Sequence, residues 1–402
     1  MPVGLNPPKN LLPVTGVKLA AVESGIRYAG RNDLLLISLP ENSTTAAVFT
    51  KNAFCAAPVI VAKEHLKNSS PRLLLVNAGN ANAGTGAQGE KVALETCAAV
   101  AVAGGVSSSE VLPFSTGVIG EPLDADKIIG KSQNLMQSLS ATNWQAAAEA
   151  IMTTDTVAKG YSDQFEVHGH TITITGICKG SGMICPDMAT LLTFIATDAV
   201  INKSDLQSCL DQGVRDSFNA ITVDGDTSTN DACTLSASGA VGERLHGTDL
   251  QMFSDRLSGL MKRLAQAVIR DAEGATKFIE IEVTGAASRD DARDVAYTIA
   301  HSPLVKTAFF ASDANWGRIL AAIGRAKSAV FDFSKLSIAL NEIVLVRNGE
   351  LASSYTEEAG AKVMANAEIK ISVDLKQGNQ IATIWTSDLS HDYVSINADY
   401  RS

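Results

Sequence analysis

Long apolar runs are missing from this chain. No stretch approaches the ~18 consecutive apolar residues that a membrane-spanning helix needs, which excludes a helical membrane protein. Basic runs are missing too. Lys and Arg number 33 against 43 Asp and Glu, for a formal net charge of −10. Neither a nucleic acid nor an anionic membrane surface is therefore an expected partner. Cysteines are few, and none forms a Cys-x-x-Cys pair. Cys55, Cys97, Cys178, Cys185, Cys209 and Cys233 lie scattered, which argues against a disulfide framework and predicts reduced thiols in a cytoplasmic protein. Each is expected to serve as a small buried hydrophobe, although Cys185 lies close to the motif discussed below. Met1 to Pro13 lack a basic segment followed by an apolar core, so no signal peptide is expected. Of six histidines only His168 and His170 are close; with no third ligand nearby, an exposed hairpin strand is favoured over a metal site.

What is present is a chain of 402 residues, 46% hydrophobic and 19% charged, long enough for two or three domains or lobes with a large core. Short β-branched or aliphatic runs bounded by turn residues predict strands over 33–39, 44–50, 58–62 and 72–76. Small residues recurring every four positions (Ala93, Cys97, Ala101) predict a closely packed helix over 89–103. Helices are also expected over 124–138, 143–152, 204–217, 250–271 and 289–301. Strands are expected over 171–176 and 277–283, near Val344, and over 369–373 and 381–385. Strands and helices alternate irregularly, with no internal repeat. The predicted fold class is α/β (α+β): layered mixed sheets flanked by helices, with a smaller C-terminal lobe.

The most informative segment begins at Lys179. Gly180-Ser181-Gly182-Met183-Ile184-Cys185-Pro186-Asp187-Met188-Ala189-Thr190 is a Gly/Pro-shaped turn, and it leads into the apolar, β-branched run 191–197, which reads as a buried strand. A threonine at the mouth of such a strand could cut its own preceding peptide bond. It would then present a nucleophilic hydroxyl with an α-amine as its base. The run resembles the self-cleavage site of the ornithine acetyltransferase family, acyltransferases of the cyclic arginine pathway with an N-terminal-nucleophile-like architecture. Every fixed position of the family's Gly-x-Gly-Met-x-x-Pro-x-x-Ala-Thr pattern is present. The resemblance extends from the Val48-Phe49-Thr50 region to the last residue.

That resemblance implies cleavage between Ala189 and Thr190, giving an α chain, 1–189, and a β chain, 190–402. It makes Thr190 the nucleophile and assigns the oxyanion hole to Thr116 and Gly117 of the segment 113–120. As substrate contacts it marks Lys179, Glu273 in Glu-Gly-Ala-Thr, Asn397 and Ser402 in the closing Asn-Ala-Asp-Tyr-Arg-Ser, and Thr153, with Thr154 as the neighbouring alternative. Lys179 suits a carboxylate and Glu273 an amine. Taken without the resemblance, each of these residues is an ordinary loop or surface residue. The stretches 77–83 and 224–231 also look family-like and are expected to form tight loops. Asp313-Ala314-Asn315 should cap a helix, although the family more often has proline where Ala314 stands. Asp224-Gly225-Asp226 resembles a calcium loop, but its glycine and the final glutamate are misplaced for one; no metal and no cofactor is expected.

The implied activity is acetyl transfer from N-acetylornithine to glutamate through an acetyl-Thr190 ester. Acetyl-coenzyme A is a second donor in some family members, and the implied assembly is a dimer of cleaved αβ heterodimers. Two competing readings are an N-terminal-nucleophile amidase or aminopeptidase, which would pass the acyl group to water, and an uncleaved binding protein.

Overall fold

The computed structural model describes residues 2–185, 191–327 and 332–399. The chain divides into two compact units. One comprises Asn6–Asn219 and Asp226–Val268; the other comprises Met1–Leu5, Ala220–Gly225 and Ile269–Ser402. In chain order the strands of the first half are β1 (Lys18–Val22), β2 (Leu34–Ser38), β3 (Thr44–Phe49), β4 (Leu73–Asn77), β5 (Val111–Ser115), β6 (Lys159–Val167), β7 (His170–Lys179) and β8 (Leu192–Val200). Then follow β9 (Ile221–Thr222), β10 (Ala232–Arg244), β11 (Phe278–Ala286), β12 (Ser337–Leu340), β13 (Ile343–Arg347), β14 (Glu350–Leu351), β15 (Glu368–Asp374) and β16 (Gln380–Ser387).

The first unit contains a four-stranded sheet, β1-β2-β4-β5, and a five-stranded sheet, β3-β10-β8-β7-β6. Both are mixed: β4–β5 and β8–β10 pair parallel, while the other neighbours pair antiparallel. The all-apolar run Leu34-Leu35-Leu36-Ile37 is explained by burial of both faces of β2. Leu35 and Ile37 turn inward with Leu74, Phe114, Ile177 and Phe194 into one core between the sheets. Phe114 and Phe194 meet edge to face there, 5.1 Å between ring centroids. Leu34 and Leu36 turn outward against Val92, Cys97 and Val100 of helix Gly86–Gly104. On the far side, Leu260 and Leu264 of helix Gly247–Arg270 press against Gly176 of β7. The unit is thus layered helix, sheet, sheet, helix, the mixed layered class expected from the sequence.

The second unit is built on a seven-stranded mixed sheet, β14-β13-β12-β15-β11-β16-β9. Helix Arg289–Ala300 packs on β11 and β16, burying Ala292, Val295, Ala296 and Ile299. Asn315 caps helix Trp316–Ile323 by accepting the Arg318 N–H at 3.1 Å, as the sequence suggested.

Two sequence expectations are corrected. The run 58–62 is not a strand but the start of helix Ala57–Asn68, which carries Pro58 in its first turn and His65 and Lys67 in its last. Packing against β5 overrides the β preference of Val59, Ile60 and Val61. The single helix expected over 124–138 is two short ones, Ala125–Ile129 and Ser132–Gln137, separated at Gly130. The histidine pair lies in a hairpin, as expected. β6 and β7 are joined by His168 and Gly169, both at positive φ, and His168 pairs with Asp249 at 2.9 Å. All six cysteines carry free thiols and only Cys55 is not buried; burial pushes the Cys97 thiol up to about 12.

Candidate active site

β7 ends at Lys179 and β8 begins at Leu192, and these two residues are paired in register across the antiparallel ladder. The proposed cleavage point therefore lies on the connection between two neighbouring strands of one sheet. Ala189 and Thr190 themselves lie outside the described residues, as does Ser402. The residue that follows, Leu191, is held from both sides. Its carbonyl accepts the Ala232 N–H at 3.1 Å, and its own N–H donates to the Asp231 carboxyl. Burial pushes that carboxyl well above the usual carboxylate range, although the Leu191 N–H, the Lys179 charge and Ser228 act in the opposite direction.

Thr116 and Gly117 follow β5 directly. The Thr116 N–H donates to the Asn77 carbonyl at 2.9 Å, so the donors this pair can offer are the Thr116 hydroxyl and the Gly117 N–H. Several amides fix this loop. Asn77 Nδ2 donates to Ser115 Oγ at 2.6 Å, and Asn230 Nδ2 donates to the carbonyls of Ser115 (2.9 Å) and Ala81 (2.6 Å). Gly117 has φ +135°, and a Cβ there would fall 2.7 Å from the Asn80 nitrogen, so no other residue fits. Lys179 reaches from the end of β7 to place Nζ 3.3 Å from Thr116 Oγ1. The geometry thus brings Lys179 to the adjacent pair Thr116 and Gly117, although Lys179 and Thr116 lie 63 positions apart in sequence.

Beneath them sits Asp155. Its carboxylate accepts from Lys159 Nζ at 2.6 Å, the Gly180 N–H at 2.7 Å and the Thr153 N–H at 3.0 Å. The side chains of Asp155 and Lys159 are wholly buried. Desolvation opposes ionisation of Asp155, but the Lys159 and Lys179 charges prevail and hold its carboxyl below the usual range. Of the two neighbouring threonines, Thr154 has its hydroxyl engaged with Ser181 Oγ at 2.7 Å. The Thr153 hydroxyl has no hydrogen-bond partner among the described residues.

In the second unit Glu273 is buried in the turn after helix Gly247–Arg270, and its Oε2 accepts from Asn397 Nδ2 at 2.7 Å. Asn397 belongs to a C-terminal helix, His391–Ala398, that the sequence did not announce. That helix and the turn are tied by further bonds. Ser390 Oγ donates to the Gly274 carbonyl at 2.6 Å, and the Asp388 carboxylate accepts from the main-chain N–H groups of Thr276 and Lys277, both at 2.8 Å. Asp155, Asn230, Asp231 and Asp388 were not singled out as site residues; the only signal was position inside a family-like stretch, which Asn230 and Asp231 had in 224–231 and Asp155 had beside Thr153 and Thr154, and which Asp388 lacked. Among the described residues no cluster of side chains could hold a metal ion.

Residues 18–402 match the family model of the ArgJ family. The chain belongs to the ArgJ family. Its ArgJ relatives include the "arginine biosynthesis bifunctional protein ArgJ" of Psychrobacter arcticus, 52% identical over 399 residues and 98% of each chain. The protein of the same name from Pseudomonas fluorescens is 50% identical over the full length of both. A crystal structure of the Bacillus halodurans ArgJ protein is 44% identical, with a TM-score of 0.50, over 52% of this chain and all of that one.

Proposed function

We propose that the chain is a self-cleaving acyltransferase of arginine biosynthesis that moves acetyl from N-acetylornithine to glutamate through an acetyl ester on Thr190. The observation that carries this reading is the donor pair of Thr116 and Gly117, set beside Lys179 at the end of the strand that leads into the Ala189–Thr190 connection. ArgJ membership supplies the substrate class, and the size of the Bacillus halodurans chain, about half of this one, is that of one proposed product.

In maturation the Thr190 hydroxyl attacks the Ala189 carbonyl and forms an ester as the peptide nitrogen leaves. Water then hydrolyses the ester, giving a carboxylate on Ala189 and a free α-amine on Thr190. In transfer that amine takes the hydroxyl proton while the oxygen attacks the acetyl carbonyl of N-acetylornithine. The oxyanion is stabilised by the Thr116 hydroxyl and the Gly117 N–H. Collapse returns the proton to the departing amine of ornithine and leaves acetyl-Thr190. The neutral amine of glutamate attacks this ester, and N-acetylglutamate leaves as Thr190 recovers its proton.

Lys179 is assigned the substrate carboxylate, and Glu273 with Asn397 the charged amine. Thr153 is preferred to Thr154 as a substrate contact because its hydroxyl is the free one. Acetyl-coenzyme A is proposed as a second donor, consistent with relatives called bifunctional. We propose αβ heterodimers assembled in pairs, in the cytoplasm, where free thiols persist. The test is incubation with N-acetylornithine alone. One equivalent of ornithine should appear and the 190–402 fragment should gain one acetyl group; ornithine release that strictly requires glutamate would refute the covalent route.

A further inference from the structure

We infer that Asp155 is a positioning residue: its buried carboxylate locks the Lys179–Ser181 turn to the Thr153–Thr154 turn and so holds the Lys179 ammonium at the Thr116 hydroxyl. The inference rests on the acyltransferase reading only in giving Lys179 and Thr116 their roles.

A carboxylate has about four accepting sites, which suits a junction where several donors converge. Here one side chain takes main-chain N–H groups from two separate turns, Gly180 at 2.7 Å and Thr153 at 3.0 Å, along with Lys159 Nζ at 2.6 Å. The bond to Gly180 matters most for Lys179. The Lys179–Gly180 peptide is planar, so fixing the Gly180 N–H also fixes the Lys179 carbonyl and Cα, and the ladder pairing of Lys179 with Leu192 sets the face from which its side chain leaves. Gly180 has φ +154°, in the range that only glycine adopts readily, so the turn lacks the conformational restraint of a Cβ and depends on an outside hold. A second tie between the same two turns is the Thr154 Oγ1 to Ser181 Oγ contact at 2.7 Å.

The Asp155–Lys159 pair is an expensive way to fill a core. Both side chains are wholly buried, and a well-packed apolar pair of similar volume commonly matches or exceeds such a pair in stability. Stability alone therefore does not account for it. Lys159 opens β6, where its backbone is paired with Cys178, so the cation that balances Asp155 is anchored one residue from Lys179. The arrangement places a fixed negative charge under a turn whose other end must deliver a positive one.

The experiment compares the full-length wild type with Lys159→Met, the double variant Asp155→Asn/Lys159→Met, and Thr154→Val. Lys159→Met keeps the carboxylate and its two main-chain bonds. The double variant removes the carboxylate without stranding a buried charge, so it should fold. Three quantities are measured: thermal melting, amide hydrogen exchange of residues 179–181, and kcat/KM for transfer from N-acetylornithine to glutamate. The double variant should melt at or above Lys159→Met, which strands the buried Asp155 charge, yet exchange faster at 179–181 and lose about tenfold or more in kcat/KM, the scale expected when a buried donor loses its acceptor. Thr154→Val should shift exchange and kcat/KM in the same direction by less. Wild-type exchange in the double variant overturns the inference, and so does faster exchange with undiminished kcat/KM. A wild-type protein that transfers no acetyl would defeat the acyltransferase reading instead, while the exchange comparison would still decide whether Asp155 holds the turn.

Discussion

The Lys179 ammonium stands 3.3 Å from the Thr116 hydroxyl oxygen, and this contact sets which way the hydroxyl can donate. An ammonium has no lone pair, so Thr116 Oγ1 accepts from Lys179 and keeps its own proton for another acceptor. With the Thr116 N–H committed to the Asn77 carbonyl, the hydroxyl is the donor this residue has left to offer the oxyanion of the proposed mechanism.

Thr116→Ala should slow both self-cleavage and acetyl transfer, because each passes through a tetrahedral oxyanion. The expected loss in kcat is ~10²–10³, the usual scale for one such donor. Thr116→Ser, which keeps the hydroxyl, should retain most of the rate. Stopped time courses of fragment appearance and steady-state transfer check both; an alanine variant that matures and turns over normally would move the oxyanion hole elsewhere.

A chain ending at Ile396 should mature and melt like the full protein but transfer acetyl poorly. The helix His391–Ala398 buries none of its residues, so its last turn contributes little to the core. Asn397, however, supplies the 2.7 Å bond to Glu273 Oε2, and losing a partner of a buried carboxylate costs about 1–3 kcal/mol. KM for N-acetylornithine should rise from several-fold to about a hundredfold. Full activity in the shortened chain would show that this end takes no part in binding.

Acid should destabilise the protein in two windows. Burial, then the charges of Lys306 and Arg325, hold His301 below its ordinary value of 6.5. A folded value below the unfolded one gives stability that is full above about pH 6.5 and falls as pH drops toward the folded value. Asp155, also held low when folded, adds a second loss as pH falls below the ordinary carboxylate value of 3.8. Denaturant unfolding from about pH 8 to about pH 5 should show the first slope, and His301→Gln should flatten it. A slope unchanged in that variant would assign it to other groups.

Much of this was legible in the sequence where a pattern is local. The helix at Gly86–Gly104 showed through its four-residue spacing of small residues, and the β6–β7 hairpin through alternation around His168-Gly169. β10 was missed although it is the central partner of β8. Its start, Ala-Cys-Thr-Leu-Ser-Ala-Ser, is buried on both faces and small apart from Leu235, so neither alternation nor an apolar run marks it. Helix Ala57–Asn68 was misread because Val59-Ile60-Val61 favours a strand until β5 packs against it. The motif around Gly180 was visible as a motif. What holds it was not, since Asp155 lies 25 residues from Gly180 and Asn230 lies 115 from Ser115. Contacts at such separations are settled by the pairing of sheets, which no local pattern records.

Cleavage between β7 and β8 would leave two fragments of 189 and 213 residues joined along a paired, buried ladder from Ile174–Thr197 to Lys179–Leu192. They should remain together in native solution and separate only on denaturation. The most direct measurement is the denatured mass and N-terminal sequence of freshly purified protein, beside Thr190→Ala. The account predicts two polypeptides in the wild type, the second beginning at Thr190, and one intact, inactive chain in the variant. A single intact chain in active wild-type protein, or a variant still cut at this bond, would contradict it.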